Sequence, residues 1–135
     1  MKSRSTVRVR YAETDQMGVV YHSNFLIYFE IGRTDYFRRL GFTYRKMEED
    51  KVYMPVTECY CRYFIPAVYD DELEIVTGLE MQSRLRIKFL YDVQRRDDSK
   101  KIAAGFTVHV PINPEGNPCR IPQVYLDALK GSMGQ

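Results

Sequence analysis

The stretch from Arg8 to Phe25 holds the residues best suited to chemistry. Asp15 supplies a carboxylate within Ala12 to Gly18, a polar run ending in glycine that reads as a loop. A helical pattern begins at about Ser23, so Asp15 lies just ahead of a helix start. The first turn of a helix carries unpaired backbone N–H groups and the positive end of the dipole. A carboxylate beside such donors suits acyl chemistry. One group attacks a carbonyl or activates water while the other holds the oxyanion. Gly18 lets the backbone approach a ligand without a Cβ in the way. His22 adds an imidazole, the side chain that exchanges protons near neutrality. From residue types alone, Asp15 reads first as a turn or helix-cap residue and His22 as a hydrogen-bonded structural histidine. Both alternatives stay open at this point.

The elements that must position these residues follow from periodicity. Val7, Val9 and Tyr11 alternate with Arg8 and Arg10, which predicts a short strand with one buried face. From Ser23 to Leu40, Phe25, Phe29, Tyr36 and Leu40 recur near the helical spacing, with Ser23 or Asn24 as N-cap and Gly41 as stop. Such a helix spans ~26 Å. Gly32 in its middle costs roughly 1 kcal/mol against alanine, which predicts a close approach by another backbone. Thr43 to Lys51 reads as a short polar helix. Strands follow over 53–64, Leu73 to Met81, Leu85 to Val93 and Ile102 to Val110. Arg96 to Lys100 forms a hairpin turn, Asn113 to Pro118 a breaker-rich loop, and Pro122 opens a terminal helix reaching about Lys130. The fold class is α+β, with the long helix covering the dry face of an antiparallel sheet. No repeat or linker appears, so residues 1–135 read as a single domain.

Composition narrows the function. With 135 residues, the chain buries one core and has no room for a separate cofactor domain. The net charge of +2 is too small for an electrostatic nucleic-acid binder. No apolar run approaches the ~18 residues of a membrane span, and residues 1–6 lack the apolar stretch of a signal peptide. Three cysteines, Cys59, Cys61 and Cys119, make no disulfide framework. The expected setting is the cytoplasm, with no metal and no cofactor.

Arg8-Val9, Thr14-Asp15, Gly18-Val19-Val20, His22 and Phe25 together resemble the signature of the 4-hydroxybenzoyl-CoA thioesterase family of hotdog-fold proteins. Pro55-Val56, Tyr63, Pro66-Ala67, Tyr69 to Leu73, Arg84, Gly105 and Ile121-Pro122 extend the resemblance over nearly the whole chain. The pattern is closest to the bacterial Tol-Pal-associated acyl-CoA thioesterase branch. The resemblance implies a hotdog, a long central helix wrapped by a curved antiparallel sheet. It also implies a homodimer or homotetramer with sites at the subunit interface and an acyl-CoA substrate; an acyl carrier protein is a further thioester donor. Asp15 matches the catalytic carboxylate, and the backbone N–H of His22 the amide that polarises the carbonyl, with its side chain assisting. Tyr21 lines the acyl pocket, Asn24 belongs to the same segment, and Arg84 matches the contact to the coenzyme A phosphates. Two departures stand out. Ser83 precedes Arg84 where another basic residue is usual, and Glu13 replaces an aspartate, shifting a structural hydrogen bond.

Other features read more plainly. Arg84, Arg86 and Lys88 suit a solvated strand face, as do Arg8 and Arg10. Tyr60, Tyr63 and Tyr69 suit sheet packing or a pocket wall. Cys59 and Cys61, two apart in a strand, face one side. Two rivals to hydrolysis remain: a hotdog module that binds acyl-CoA or acyl carrier protein without turnover, and a dehydratase pairing His22 with Asp35. With the helix filling the inside of the sheet, little interior remains for a deep pocket, so small size predicts an obligate oligomer.

Overall fold

In the computed structural model, which describes residues 1–134, these periods become an α+β architecture. The order is β1 (Ser3–Arg8), a single 3-10 turn (Tyr11–Glu13), α1 (Asn24–Arg39), α2 (Tyr44–Glu49), β2 (Val56–Tyr63), β3 (Glu72–Ser83), β4 (Arg86–Arg95), β5 (Lys101–His109) and α3 (Gln123–Met133). The five strands form one antiparallel sheet in the order β1-β3-β4-β5-β2. Helix α1 buries Phe25, Tyr28, Phe29, Gly32, Tyr36 and Phe37, residues three and four apart that share one face. Across from them, Ile87, Phe89, Tyr91 and Val93 alternate along β4 and are all buried. Phe29 stacks on Tyr91 with ring centroids 4.3 Å apart, while Phe37 meets Phe89 edge-on at 5.4 Å. The buried apolar side chains form one connected cluster that α3 joins through Tyr125, Leu126 and Leu129.

Two expectations need correction. The first strand ends earlier than the Val7-Val9-Tyr11 alternation suggests. Its inner positions are Ser3 and Ser5, both buried, with Arg39 of α1 donating to Ser3 Oγ and to the Arg4 carbonyl. Side chains this small fit where the end of α1 crosses the strand. After Val9 the chain leaves the sheet because Arg10 N–H donates to Glu13 Oε1 at 2.8 Å, winding Tyr11 into the 3-10 turn with its ring exposed. The second correction concerns Gly32. A Cβ there meets side chains, not a backbone: Thr77 Oγ1 most closely, and Ile75 Cγ2 at 2.9 Å. Glycine lets the helix sit directly on two β-branched residues of β3.

Strand β2 pairs only with β5, so its other side is an open sheet edge. Val56, Tyr60 and Tyr63 on this strand are exposed, as are Phe64 and Ile65 just beyond it and Leu26 and Ile27 of α1. No helix among the described residues is long and apolar enough to cross a membrane.

A polar chain runs through the core beneath α1. His109 is fully buried, with Nδ1 3.0 Å from the Met54 carbonyl and Nε2 2.9 Å from Thr107 Oγ1. The carbonyl only accepts, so Nδ1 carries the proton and Nε2 accepts from Thr107. Thr107 Oγ1 in turn accepts from Tyr91, whose hydroxyl lies 2.6 Å away. Burial pushes the imidazole down to about 4; the bond to Met54 opposes this and the nearby charge of Arg33 adds to it. In the unfolded chain the ring titrates near its ordinary value of 6.5. The unfolded state therefore binds the extra proton between these values. His109 contributes stability that is complete above about pH 6.5 and is lost as pH falls through about 4. The contribution is at most about 3 kcal/mol. Urea unfolding over this window should show stability rising with pH, with a flatter slope in His109→Gln.

Candidate active site

The site is built on Glu13. Its buried carboxylate accepts from Arg10 N–H at 2.8 Å, Tyr28 hydroxyl at 2.9 Å, and Arg10 Nε and Nη2 at 3.3 and 3.2 Å. Its backbone carbonyl accepts from Tyr21 N–H at 2.9 Å and Asn24 Nδ2 at 2.8 Å. One residue thus joins the 3-10 turn, the approach to α1 and the interior of that helix. Burial, then the bond to Glu13, raises the pKa of the Tyr28 hydroxyl, so it remains a donor.

From Glu13 the chain makes a tight excursion. Thr14 bridges to Val20, Asp15 N–H donates to the Val19 carbonyl at 2.9 Å, and Gly18 N–H returns to the Asp15 carbonyl at 2.9 Å. Gly18 sits at φ +79°, the left-handed residue that closes such a turn. A Cβ on Gly18 would meet nothing within 4 Å, so the turn, not crowding by the rest of the protein, accounts for glycine here. Val20 N–H donates to the Ala67 carbonyl at 2.8 Å, tying the excursion to the segment that leads into β3.

Asp15 is half-buried in this turn. Its Oδ1 accepts from Met17 N–H at 2.8 Å and Val19 N–H at 3.4 Å, while Oδ2 has no partner among the described residues. One oxygen thus orients the group and the other is left unengaged among the described residues. Helix α1 begins just beyond. Ser23 stands at the N-cap without a side-chain bond, and Asn24, the alternative cap, is spent on Glu13. The N–H groups of His22 and Ser23 donate to nothing among the described residues, as expected for a helix start that lacks a side-chain cap. The His22 carbonyl accepts from Phe25 N–H at 3.3 Å and from the Tyr63 hydroxyl at 2.9 Å. Burial, then the bond with Cys61, pushes the Tyr63 hydroxyl up to about 12.

Between these pieces lies a pocket of about 420 Å³. Val19, Val20, Phe25, Phe64 and Ile65 give it an apolar wall, and Asp15, Tyr21, His22 and Tyr63 also line it. The Tyr21 and His22 rings lie 4.4 Å apart and are exposed. The His22 ring makes no hydrogen bond among the described residues. The structure thus brings Asp15, Tyr21 and His22 to one pocket, places Gly18 in the turn that aims Asp15, and gives Asn24 an anchoring role.

Arg84 stands elsewhere. It lies in the β3–β4 turn, where Nη2 reaches the Ile121 carbonyl at 3.3 Å and Gln123 Oε1 at 3.4 Å, and its Nε is buried without a partner. The Asp15 loop packs at the other end of β3, beside Ala67 and Val68. A strand of 12 residues spans roughly 36 Å, so Arg84 does not reach Asp15 within one protomer. Asp35 is about 20 Å along the helix axis from His22 and pairs with Arg38 at 3.5 Å, which removes support for an acid–base pair with His22. No group of three or more His, Cys, Asp or Glu among the described residues is placed to hold a metal. Tyr63, expected in sheet packing or a pocket wall, lines this pocket. Glu13, expected only to shift a structural hydrogen bond, anchors the site through Arg10 and Tyr28; the signal for that role is its spacing from Arg10 and a tyrosine on the inner face of the helix.

Comparison with known proteins fits this geometry. The family profile described as the thioesterase-like superfamily matches residues 9–129. A protein of Aquifex aeolicus (strain VF5), provisionally called an esterase, is 37% identical over 123 residues, covering 91% of this chain and 94% of its own. The acyl-CoA thioester hydrolase YbgC of Escherichia coli O157:H7 is 38% identical over 76 residues, 56% of this chain and 57% of its own. Among solved structures, DHNA-CoA thioesterase from Staphylococcus aureus superposes with a TM-score of 0.93 at 31% identity, covering 98% of this chain and 91% of that one. The hotdog fold is thereby established.

Removing Glu13 tests the anchor. Glu13→Ala leaves the Tyr28 hydroxyl buried without an acceptor and should destabilise the protein by about 2–4 kcal/mol. Tyr28→Phe should cost about 1 kcal/mol. Denaturant melts of both single variants and the double variant should show less than additive losses, since the two share one bond.

Proposed function

The chain belongs to the thioesterase-like superfamily, and from that premise we propose that it hydrolyses an acyl-CoA thioester to the free acid and coenzyme A. One observation carries the reading: Asp15 and His22, which line one apolar pocket, bring to it a carboxylate oxygen and a helix-start amide that have no partner among the described residues. The acyl group lies against Val19, Val20, Phe25, Phe64 and Ile65. The thioester carbonyl oxygen accepts from the His22 amide, which stabilises the charge as the carbonyl carbon becomes tetrahedral. Asp15 Oδ2 then serves in one of two ways. As a nucleophile it bonds to the carbonyl carbon, the C–S bond breaks and the thiolate leaves, giving a mixed anhydride that water cleaves. As a general base it takes a proton from water, whose oxygen forms the new bond. The His22 ring, exposed at the pocket mouth, assists by giving a proton to the leaving sulfur. A module that only binds acyl-CoA has no use for an acid aimed by two backbone amides.

The site is completed by a second copy. β2 is an open edge with exposed apolar residues beside the pocket, and a partner paired antiparallel along it covers them. Such pairing turns the partner's β3–β4 hairpin toward this pocket, so the partner's Arg84 is the one available for the coenzyme A phosphates. Three cysteines without disulfides suit a cytoplasmic setting.

Asp15→Asn, folded as the parent, should lower kcat/KM on a panel of aliphatic and aromatic acyl-CoAs about 100-fold or more. An unchanged rate refutes the reading. Single turnover in isotopically labelled water separates the two roles, since label entering Asp15 itself requires the anhydride. Sedimentation should show a dimer or larger, and a fully active monomer would overturn the shared site.

A further inference from the structure

Tyr63 closes β2 at the wall of the apolar pocket, its ring half-exposed and edge-on to Phe25 with centroids 5.4 Å apart. Its hydroxyl donates to the His22 carbonyl at 2.9 Å, joining a strand end to a helix start 41 residues away in the chain. The strand end that carries it is fixed. Tyr63 is in register with Ala103 of β5, and Phe64 N–H donates to the Ile102 carbonyl at 2.9 Å. Burial, then Cys61, holds the phenol up near 12, so it keeps its proton and stays a donor throughout the neutral range.

The backbone around His22 is held from both directions. Tyr21 N–H before it and the Asn24 side chain after it bind the Glu13 carbonyl at 2.9 and 2.8 Å. Tyr63 holds His22 itself, and among the described residues no other side chain bonds the backbone of residues 22 and 23. The two amides without a partner there, His22 N–H and Ser23 N–H, flank the carbonyl that Tyr63 binds. A hydrogen bond to a carbonyl fixes the plane of its peptide and draws charge toward the oxygen. The N–H of the same peptide, that of Ser23, then becomes a stronger donor. We propose that Tyr63 is a positioning residue for thioester hydrolysis: through the His22 carbonyl it aims the His22 amide and polarises the Ser23 amide, so that both serve the oxyanion. Its hydroxyl proton is committed to His22 and takes no part in proton transfer. The role rests on the thioesterase reading, and it makes the chemical step depend on where the end of β2 holds one oxygen.

Tyr63→Phe keeps the ring against Phe25 and removes only the hydroxyl, so the fold and the pocket wall should be retained. On acyl-CoA, kcat should fall about tenfold, the loss expected for one hydrogen bond that matters in the transition state, with KM held within about twofold. Replacing Tyr63 by p-aminophenylalanine returns an N–H donor to the same place and should recover most of the lost kcat. The pH profile of Tyr63→Phe should run parallel to that of the parent, since the phenol moves no proton. A purely structural hydroxyl lowers Tm and leaves kcat unchanged, and that result overturns the proposal. So does a loss carried wholly by KM, a loss that p-aminophenylalanine does not repair, or a shifted alkaline limb, which assigns proton transfer to the phenol. Asp15→Asn, assayed alongside, separates two failures. If Asp15→Asn loses activity while Tyr63→Phe keeps it, hydrolysis stands and the positioning role falls. If the parent releases no thiol from any acyl-CoA, the thioesterase reading falls and this role with it.

Discussion

The carboxylate of Glu13 is the constraint on which the site depends. A buried acid is tolerated only where its oxygens are satisfied, and removing one partner costs more than the pair itself contributes. Here the partners come from two places: Arg10 at the end of the strand region and Tyr28 inside α1. The Glu13 carbonyl adds Tyr21 and Asn24, which straddle the helix start. The chain between Glu13 and Tyr21 is therefore a loop whose two ends are clamped to one residue. Asp15 lies inside it, and its distance from the free amides of His22 and Ser23 has little room to vary. A glutamate is long enough for this role, because it reaches Tyr28 directly.

Preorganisation of this sort lets the proposed site rest on few groups. Asp15 Oδ1 is held by two amides that the turn itself supplies, so the carboxylate needs no neighbouring cation to orient it. The helix start offers its donors because no side chain caps it: Ser23 makes no cap bond and Asn24 is turned to Glu13. A capped helix is more stable by about 1 kcal/mol. Leaving these amides open lowers stability at the place where an oxyanion can use them. Tyr63 compensates from outside by bonding the His22 carbonyl, which steadies the turn without blocking its N–H groups.

The parts of the fold legible in the sequence are those where one period dominates. β4 reads correctly because Ile87, Phe89, Tyr91 and Val93 face a continuous apolar layer, and α1 reads to within a residue because its buried face is aromatic throughout. β1 is not legible in that way. Its inner positions are serines, chosen by the helix end above them, and no hydrophobic pattern marks such a strand. Gly32 announced a close contact but not its nature, since only the sheet register shows that Thr77 and Ile75 lie opposite. The site divides similarly. Asp15, Gly18 and His22 fall in one segment and match a family signature, whereas Tyr63 joins them through the sheet topology. Arg84 lies at the far end of the longest strand, where only a partner chain can relate it to the pocket.

Small size then acquires a structural meaning. Helix α1 fills the concave side of the sheet, so no pocket can form beneath it, and the available space is the cleft where α1 meets the open edge of β2. That cleft is also where exposed apolar residues gather: Leu26 and Ile27 on the helix, Tyr63 on the strand, Phe64 and Ile65 after it. A sheet edge and an apolar cleft exposed together are a liability in a monomer. Covering both with a second copy removes the liability and deepens the pocket by the same contact. In the proposed dimer, stability of the assembly and enclosure of the pocket are one interaction, so a substitution on β2 that weakens association is expected also to open the pocket to water.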